Sequence, residues 1–204
     1  MSSKQVILIH GGSCWKTRAE YLADLKATKF VVGFFPRAGW HKNLQKDLGA
    51  DCKVLLPDMP NWQNARYDEW KIWFEKALAV SGADPVVVGH SLGGIFLIKY
   101  FSETIQHPKI RAMLLVGTPY QTVSQNPDFG NFALQRQPRR LAGLGSKIRF
   151  YHSQDDPIVV FGDVKKYQKV LPGAVIKTYA NRGHFIQNHF LDLAKDIRSI
   201  FNPR

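Results

Sequence analysis

The chain of 204 residues, 45% hydrophobic and 22% charged, has the composition of one globular domain with a sizeable core, which excludes a disordered or fibrous polymer and a full second domain. Its 28 Lys and Arg against 16 Asp and Glu give a net charge of +12, but the cations are scattered and no nucleic-acid-binding motif accompanies them. A solvated basic surface is therefore expected, with no specific nucleic-acid partner; the one tight cluster, Arg136, Arg139 and Arg140, could line a route for an anionic substrate.

The first apolar run, Gln5–Ile9, reads as a buried strand and leads into His10-Gly11-Gly12. Its apolar core from Val6 to Ile9 is too short for a signal peptide, and no run approaches the roughly 18 apolar residues of a membrane span. Cys14 and Cys52 have neither the number nor the spacing for a disulfide framework or a metal site. A cytoplasmic, reducing location without membrane association is the expectation. Segment 14–40 fits a regular alternation poorly: a helical pattern at Ala19–Ala27 is followed by the apolar run Phe30–Pro36, and the whole is expected to form a small cap or insertion.

From Trp40 onward the pattern becomes regular. A helix is predicted at Trp40–Leu48, a strand at Lys53–Leu56, and a helix at Tyr67–Val80 with Trp70, Trp73, Phe74, Ala77 and Leu78 on its apolar stripe. The strand Pro85–Val88 meets Gly89-His90-Ser91-Leu92-Gly93, after which Gly94–Glu103 reads as a buried helix. The strand Ala112–Val116 precedes a stretch at 119–145 rich in Gln, Asn, Pro and Gly, expected as a rim loop. The chain closes with the strand Lys147–Tyr151, the helix Gly162–Val170, the strand Val175–Tyr179 and the helix His189–Phe201. Continuous apolar runs alternating with helices describe a mostly parallel sheet of about six strands with helices on both faces, an α/β fold in a single domain spanning 1–204.

The chemistry begins at Ser91. In a G-x-S-x-G turn between strand and helix, the serine stands at a sharp apex and the flanking glycines avoid collisions there. A serine hydroxyl needs a neighbouring base, and the base needs an orienting acid. Both follow in order, each just past a predicted strand: Asp155-Asp156-Pro157, then Gly183-His184-Phe185. Either aspartate suits the acid role, Asp156 better than Asp155, and Asp128 is the alternative outside the pair. Among the other histidines, His90 is expected to pack beside the serine and His10 to brace the loop after the first strand. His41, His107, His152 and His189 read as surface or packing residues. No H-E-x-x-H or cysteine pair is present, so no metal and no cofactor are expected.

With its Asp-Asp-Pro and Gly-His-Phe signatures and its small size, the chain resembles the α/β-hydrolases, and among them the YdeN-like and retinoblastoma-binding-protein-nine-like serine hydrolases. The resemblance runs from His10-Gly11-Gly12 to the last helix. It implies a compact α/β-hydrolase fold with Ser91 as nucleophile, Asp156 as acid and His184 as general base. The oxyanion donors it implies are the N–H groups of Leu92 and Gly12. The expected activity is cleavage of a small carboxylic ester through an acyl-enzyme, the partner being a small-molecule acyl substrate. A thioesterase, an acyltransferase or a small peptidase would use the same residues, and a non-catalytic binding protein on this fold or a polyanion binder are the readings from other classes. Where relatives often place a proline after the acidic loop, this chain has Val159-Val160-Phe161. Trp15, Phe34, Phe35, Trp62, Tyr120 and Phe129 are the aromatic residues available to shape an apolar pocket, each equally suited to core packing.

Overall fold

The computed structural model describes residues 4–29, 39–104, 109–122 and 129–203. The run Phe30–Pro36 with Phe34 and Phe35, the alternative acid Asp128 and the middle of the 119–145 stretch lie outside them.

Six strands form one sheet: β1 (Lys4–Ile9), β2 (Cys52–Leu55), β3 (Val86–His90), β4 (Ala112–Val116), β5 (Ile148–Ser153) and β6 (Val175–Tyr179). The spatial order is β2-β1-β3-β4-β5-β6 and every pairing is parallel. Among the described residues six α-helices accompany them: α1 (Arg18–Ala27), α2 (Trp40–Leu48), α3 (Tyr67–Val80), α4 (Leu92–Glu103), α5 (Gly162–Val170) and, after the last strand, α6 (Leu191–Phe201).

Alternate strand residues feed two separate cores, which is why the central strands are apolar at every position. Val6, Leu8, Val86, Val88, Leu114 and Val116 meet Trp40, Leu44 and Leu48 of α2 and Leu193, Ala194 and Ile197 of α6. Ile7, Ile9, Val87, Met113, Leu115 and Phe150 meet α3, α4 and α5 on the opposite face. There α4 is buried nearly all round, and Phe96 packs its ring against Tyr67, Trp70, Phe74, Tyr100 and Phe132.

α1 stands apart from both cores. It has a complete capping box, the Thr17 hydroxyl accepting from Glu20 N–H while the Glu20 carboxylate reaches back to Thr17 N–H, yet none of its side chains is buried.

Several boundaries differ from the sequence reading. α4 begins at Leu92 rather than Gly94, because the chain turns helical directly after Ser91. α6 begins at Leu191 rather than His189, whose ring is held outside by Asp47 while Phe190 enters the core in a non-helical conformation. Trp73 is 44% exposed, since it lies off the face of α3 that carries Trp70, Phe74 and Ala77. The described part of 119–145 contains short 3₁₀ turns at Gly130–Phe132 and Arg139–Lys147. Among the described residues no helix is long and apolar enough to cross a membrane.

Strand order reverses between β1 and β3, so the loops leaving these two strands diverge and open a crevice at their carboxyl ends. Phe96→Ala empties the centre of the aromatic cluster beneath that crevice and is expected to cost about 3–5 kcal/mol, read as a lower urea midpoint at unchanged slope.

Candidate active site

β3 ends at His90 and the backbone swings at Ser91 to φ 54°, ψ −121°, a region that non-glycine residues rarely occupy. Two hydrogen bonds hold the turn: Ser91 N–H donates to the Val116 carbonyl at 2.9 Å, and Gly94 N–H donates to the Ser91 carbonyl at 2.9 Å. The flanking glycines are required by close approach. A Cβ on Gly89 would lie 2.6 Å from the Gly93 carbonyl oxygen, and one on Gly93 would lie 2.6 Å from the His10 carbonyl oxygen. The amino end of α4 is thereby pressed onto the end of β1.

The loop after β1 is fixed from below. The Met59 N–H donates to His10 Nε2 at 3.0 Å, so the ring carries its hydrogen on Nδ1, which donates to the Gly11 carbonyl. Ser13 N–H reaches the Trp62 carbonyl, and Ala65 N–H returns to that of Ser13. Gly11 lies against Ser91, and Gly12, Ser91 and Leu92 share one cavity. Leu92 opens α4, so its N–H is one of those with no partner inside the helix.

The structure brings together His184 and Asp156. Nδ1 of His184 lies 2.9 Å from Oδ2 and 3.1 Å from Oδ1 of the carboxylate. The N–H groups of Ile158 and Val159 donate to Oδ1 at 2.9 Å each. Burial opposes the charge on Asp156, but the hydrogen bonds from His184, Val159 and Ile158 outweigh it and hold the carboxyl below its ordinary range. A carboxylate on Nδ1–H leaves Nε2 of His184 as the basic nitrogen.

Asp155 makes a different contact. It accepts a hydrogen bond from Ser153 Oγ–H and another from Gly183 N–H at 2.9 Å, while Ser153 Oγ accepts from Arg182 N–H at 2.8 Å. Together they clamp the loop that carries His184 to the end of β5. That loop is kinked, with Gly183 at φ 52° and Phe185 at φ 54°. His90 Nε2–H donates to the His184 carbonyl at 2.9 Å, and Trp40 Nε1–H donates to that of Phe185 at 2.8 Å. Sequence reasoning placed His90 only as a packing neighbour and missed both the clamp and this bond.

Gly117 was also missed. At φ 50°, directly after the strand residue that receives Ser91 N–H, it leaves the space that Asp156 and His184 fill; a Cβ there would sit 3.3 Å from Asp156 Oδ2 and from His184 Nδ1. Only its position after a strand and before Thr118-Pro119 could have hinted at this.

The rings of His41, His90 and His184 form a file with centroid spacings of 4.8 and 4.9 Å. Burial, with the neighbouring imidazoles adding to it, lowers His41 to about 3 and His90 well below the usual value. Both stay neutral at physiological pH, so neither His41 nor His90 sets a positive charge beside His184.

Ser91 opens into a cavity of about 360 Å³ walled by Cys14, Trp15, Phe129, Ile158, Val159 and Val160. Of the aromatic residues considered, Trp15 and Phe129 line it, whereas Trp62 packs on the core and Tyr120 is buried against Tyr167. The unusual Val159-Val160 pair forms part of the wall, as its position after Asp156 required. Cys14 donates its thiol hydrogen to the Phe129 carbonyl. Burial, only partly offset by Arg66, pushes that thiol up to about 12, which leaves it a poor nucleophile.

The family model for serine hydrolases matches residues 35–191. The chain is 26% identical over 168 residues to the serine hydrolase RBBP9 of Rattus norvegicus, covering 81% of this chain and 86% of that protein. Among solved structures it is similar to the ydeN gene product of B. subtilis, with a TM-score of 0.75 at 19% identity over 97% of this chain and 98% of that one. It is also similar to Est1E of Butyrivibrio proteoclasticus, with a TM-score of 0.62 at 13% identity over 98% and 87%.

The clamp has a measurable signature. Asp155→Ala should speed amide exchange at Arg182 and Gly183 by roughly tenfold while leaving the exchange of central β3 amides unchanged, because the lost hydrogen bonds serve one loop and not the core.

Proposed function

The chain belongs to the serine hydrolase family, and from that footing we propose that it cleaves a small carboxylic ester through an acyl-enzyme on Ser91, with His184 as general base and Asp156 as the orienting acid. The observation that carries this reading is the Asp156 carboxylate on His184 Nδ1 at 2.9 Å, in a chain whose Ser91 stands at a strained strand-to-helix apex.

Ser91 Oγ attacks the ester carbonyl carbon as its proton passes to His184 Nε2. The carbonyl oxygen becomes an oxyanion and takes hydrogen bonds from the N–H groups of Leu92 and Gly12, each such donor being worth about a hundred- to a thousandfold in rate. Collapse expels the alcohol, which leaves with the proton from His184. Water then attacks the acyl-enzyme, gives a proton to the same nitrogen, and the carboxylic acid departs as Ser91 recovers its hydrogen. Asp156 keeps its charge throughout and favours the imidazolium.

The cavity selects the acyl part. Its lining carries no cation and one carboxylate, Asp163, which is buried and engaged by Tyr120 N–H and Lys166; with Cys14, Trp15, Phe129 and the valines on the wall, and a size at the low end of small-molecule sites, it suits an uncharged, largely apolar group of short to medium length. Segment 14–40, whose first residues supply Cys14 and Trp15, acts as the cap of this single domain, and 119–145 as its rim. Two cysteines outside any disulfide suit a reducing cytoplasm, where we place the enzyme.

An active-site phosphonate should label the wild-type protein at Ser91 and leave Ser91→Ala unlabelled; equal labelling of both would sink the assignment. Asp156→Asn should keep the fold and lower kcat on p-nitrophenyl esters by about a thousand- to ten-thousandfold, since the amide no longer fixes the tautomer of His184. Because the Asp156 carboxyl lies below its ordinary range, its charge stabilises the fold above about pH 4, and that contribution is lost as the pH falls through the depressed value. The acid limb of the rate profile should therefore stay one proton steep down to about pH 4.

A further inference from the structure

A cavity at the basic cluster has no part in the reaction at Ser91. It measures about 510 Å³ and is lined by Tyr67 of α3, Lys99, Ser102 and Glu103 of α4, and the segment from Asn131 to Arg140. We propose that it is a binding site for a small multivalent oxyanion, a phosphorylated or polycarboxylated molecule, held chiefly by Arg136 and Arg140.

The charges decide the ligand class. Glu103 is the one acidic side chain among the lining residues, and it is already engaged: Lys99 Nζ lies 2.6 Å from its carboxylate, and the Tyr67 hydroxyl hydrogen bonds to it as well. Lys99 is buried on α4, also donates to the Ala133 carbonyl at 3.1 Å, and sits over the Tyr67 ring. The Lys99–Glu103 pair is therefore a neutralised wall. Arg136 and Arg140 remain, and among the described residues neither pairs with a carboxylate; Arg140 only approaches the Ser102 carbonyl at 3.5 Å, while Arg139 Nε–H donates to the Gln137 side chain at 2.9 Å. Two guanidinium groups lining one cavity supply the planar donor sets that pair with oxyanions, and Gln135, which lines it too, adds neutral donors. The volume falls within the range of small-molecule sites and is far larger than a single phosphate needs, so the anionic group carries a body that fills the remainder against Tyr67 and Leu134.

The place of the cavity gives it a consequence. One short segment separates it from the Ser91 cavity: Phe129 lines one, and Asn131, Leu134 and Gln135 line the other. That segment is tied by Asn131 Oδ1 to Tyr67 N–H and by Leu134 N–H to the Gln121 carbonyl. The scattered +12 charge thus has a focus with a defined shape, which a diffuse basic surface would lack.

Titrating the wild-type protein with inorganic pyrophosphate and, separately, with citrate at low ionic strength tests the site by calorimetry and backbone amide shifts. Saturable binding is expected, with shifts centred on 99–103 and 131–140. Arg136→Glu with Arg140→Glu should weaken it at least tenfold, whereas Lys46→Glu with Lys195→Glu, an equal change in net charge on the other face of the sheet, should leave it within twofold. Binding of pyrophosphate alone would mark a phosphate site and of citrate alone a carboxylate site. The proposal is overturned by the absence of saturable binding, or by equal losses in the two double variants, which would mean that net charge alone attracts the anion. The proposal is independent of the chemistry at Ser91, which phosphonate labelling of the same samples reports.

Discussion

The turn at Ser91 is the constraint on which the rest depends. A non-glycine residue at φ 54° carries a cost of about 1–3 kcal/mol that its own neighbours do not repay. The fold repays it with burial: β3 is covered on both sides by β1 and β4, and α4 is enclosed by aromatic side chains along its length. Because strand and helix cannot move apart, the residue between them has one conformation available. The pressing of α4 onto the end of β1 leaves room only for glycine at 93, and its close return over β3 only for glycine at 89, so the motif records a packing distance as much as a chemical need.

Around that fixed point the polar groups are arranged by who donates to whom. The Asp156 carboxylate is surrounded by donors, which keeps it charged in a nearly dry place. The neighbouring imidazoles of His41 and His90 are instead kept neutral by burial. His90 uses its ring hydrogen on the backbone of His184, and Asp155 uses its carboxylate on the preceding residue. Adjacent aspartates thus do unlike jobs, one facing the ring and the other the loop that aims it.

Much of this was legible in the sequence because the signals were local or periodic. The strands appeared as apolar runs since both faces of the central sheet are buried, and the helices as stripes since each packs on one side. Ser91, Asp156 and His184 were reachable because each follows a strand and the sheet is parallel, which gathers such positions at one edge. What stayed hidden depended on contacts distant in the chain. Nothing near Gly117 in sequence says that Asp156 and His184 will occupy the place of its missing side chain. The clamp from Asp155 spans 28 residues, and Trp73 shares the composition of a core stripe while facing outward. His189 looked like the start of a helix because its attraction to Asp47, 142 residues away, left no local trace.

The helix α1 buries none of its side chains, yet the two residues a turn before it, Cys14 and Trp15, form part of the wall around Ser91. Ser91 hangs from the most cohesive element of the molecule, while Cys14 and Trp15 are held across the chain, by the Phe129 and Gln63 carbonyls and by Arg66, rather than by the exposed helix that follows them. The serine and this part of its cavity wall are in this way mounted on separate foundations. Sequence change within α1 can therefore leave both the wall and the packing beneath the serine in place.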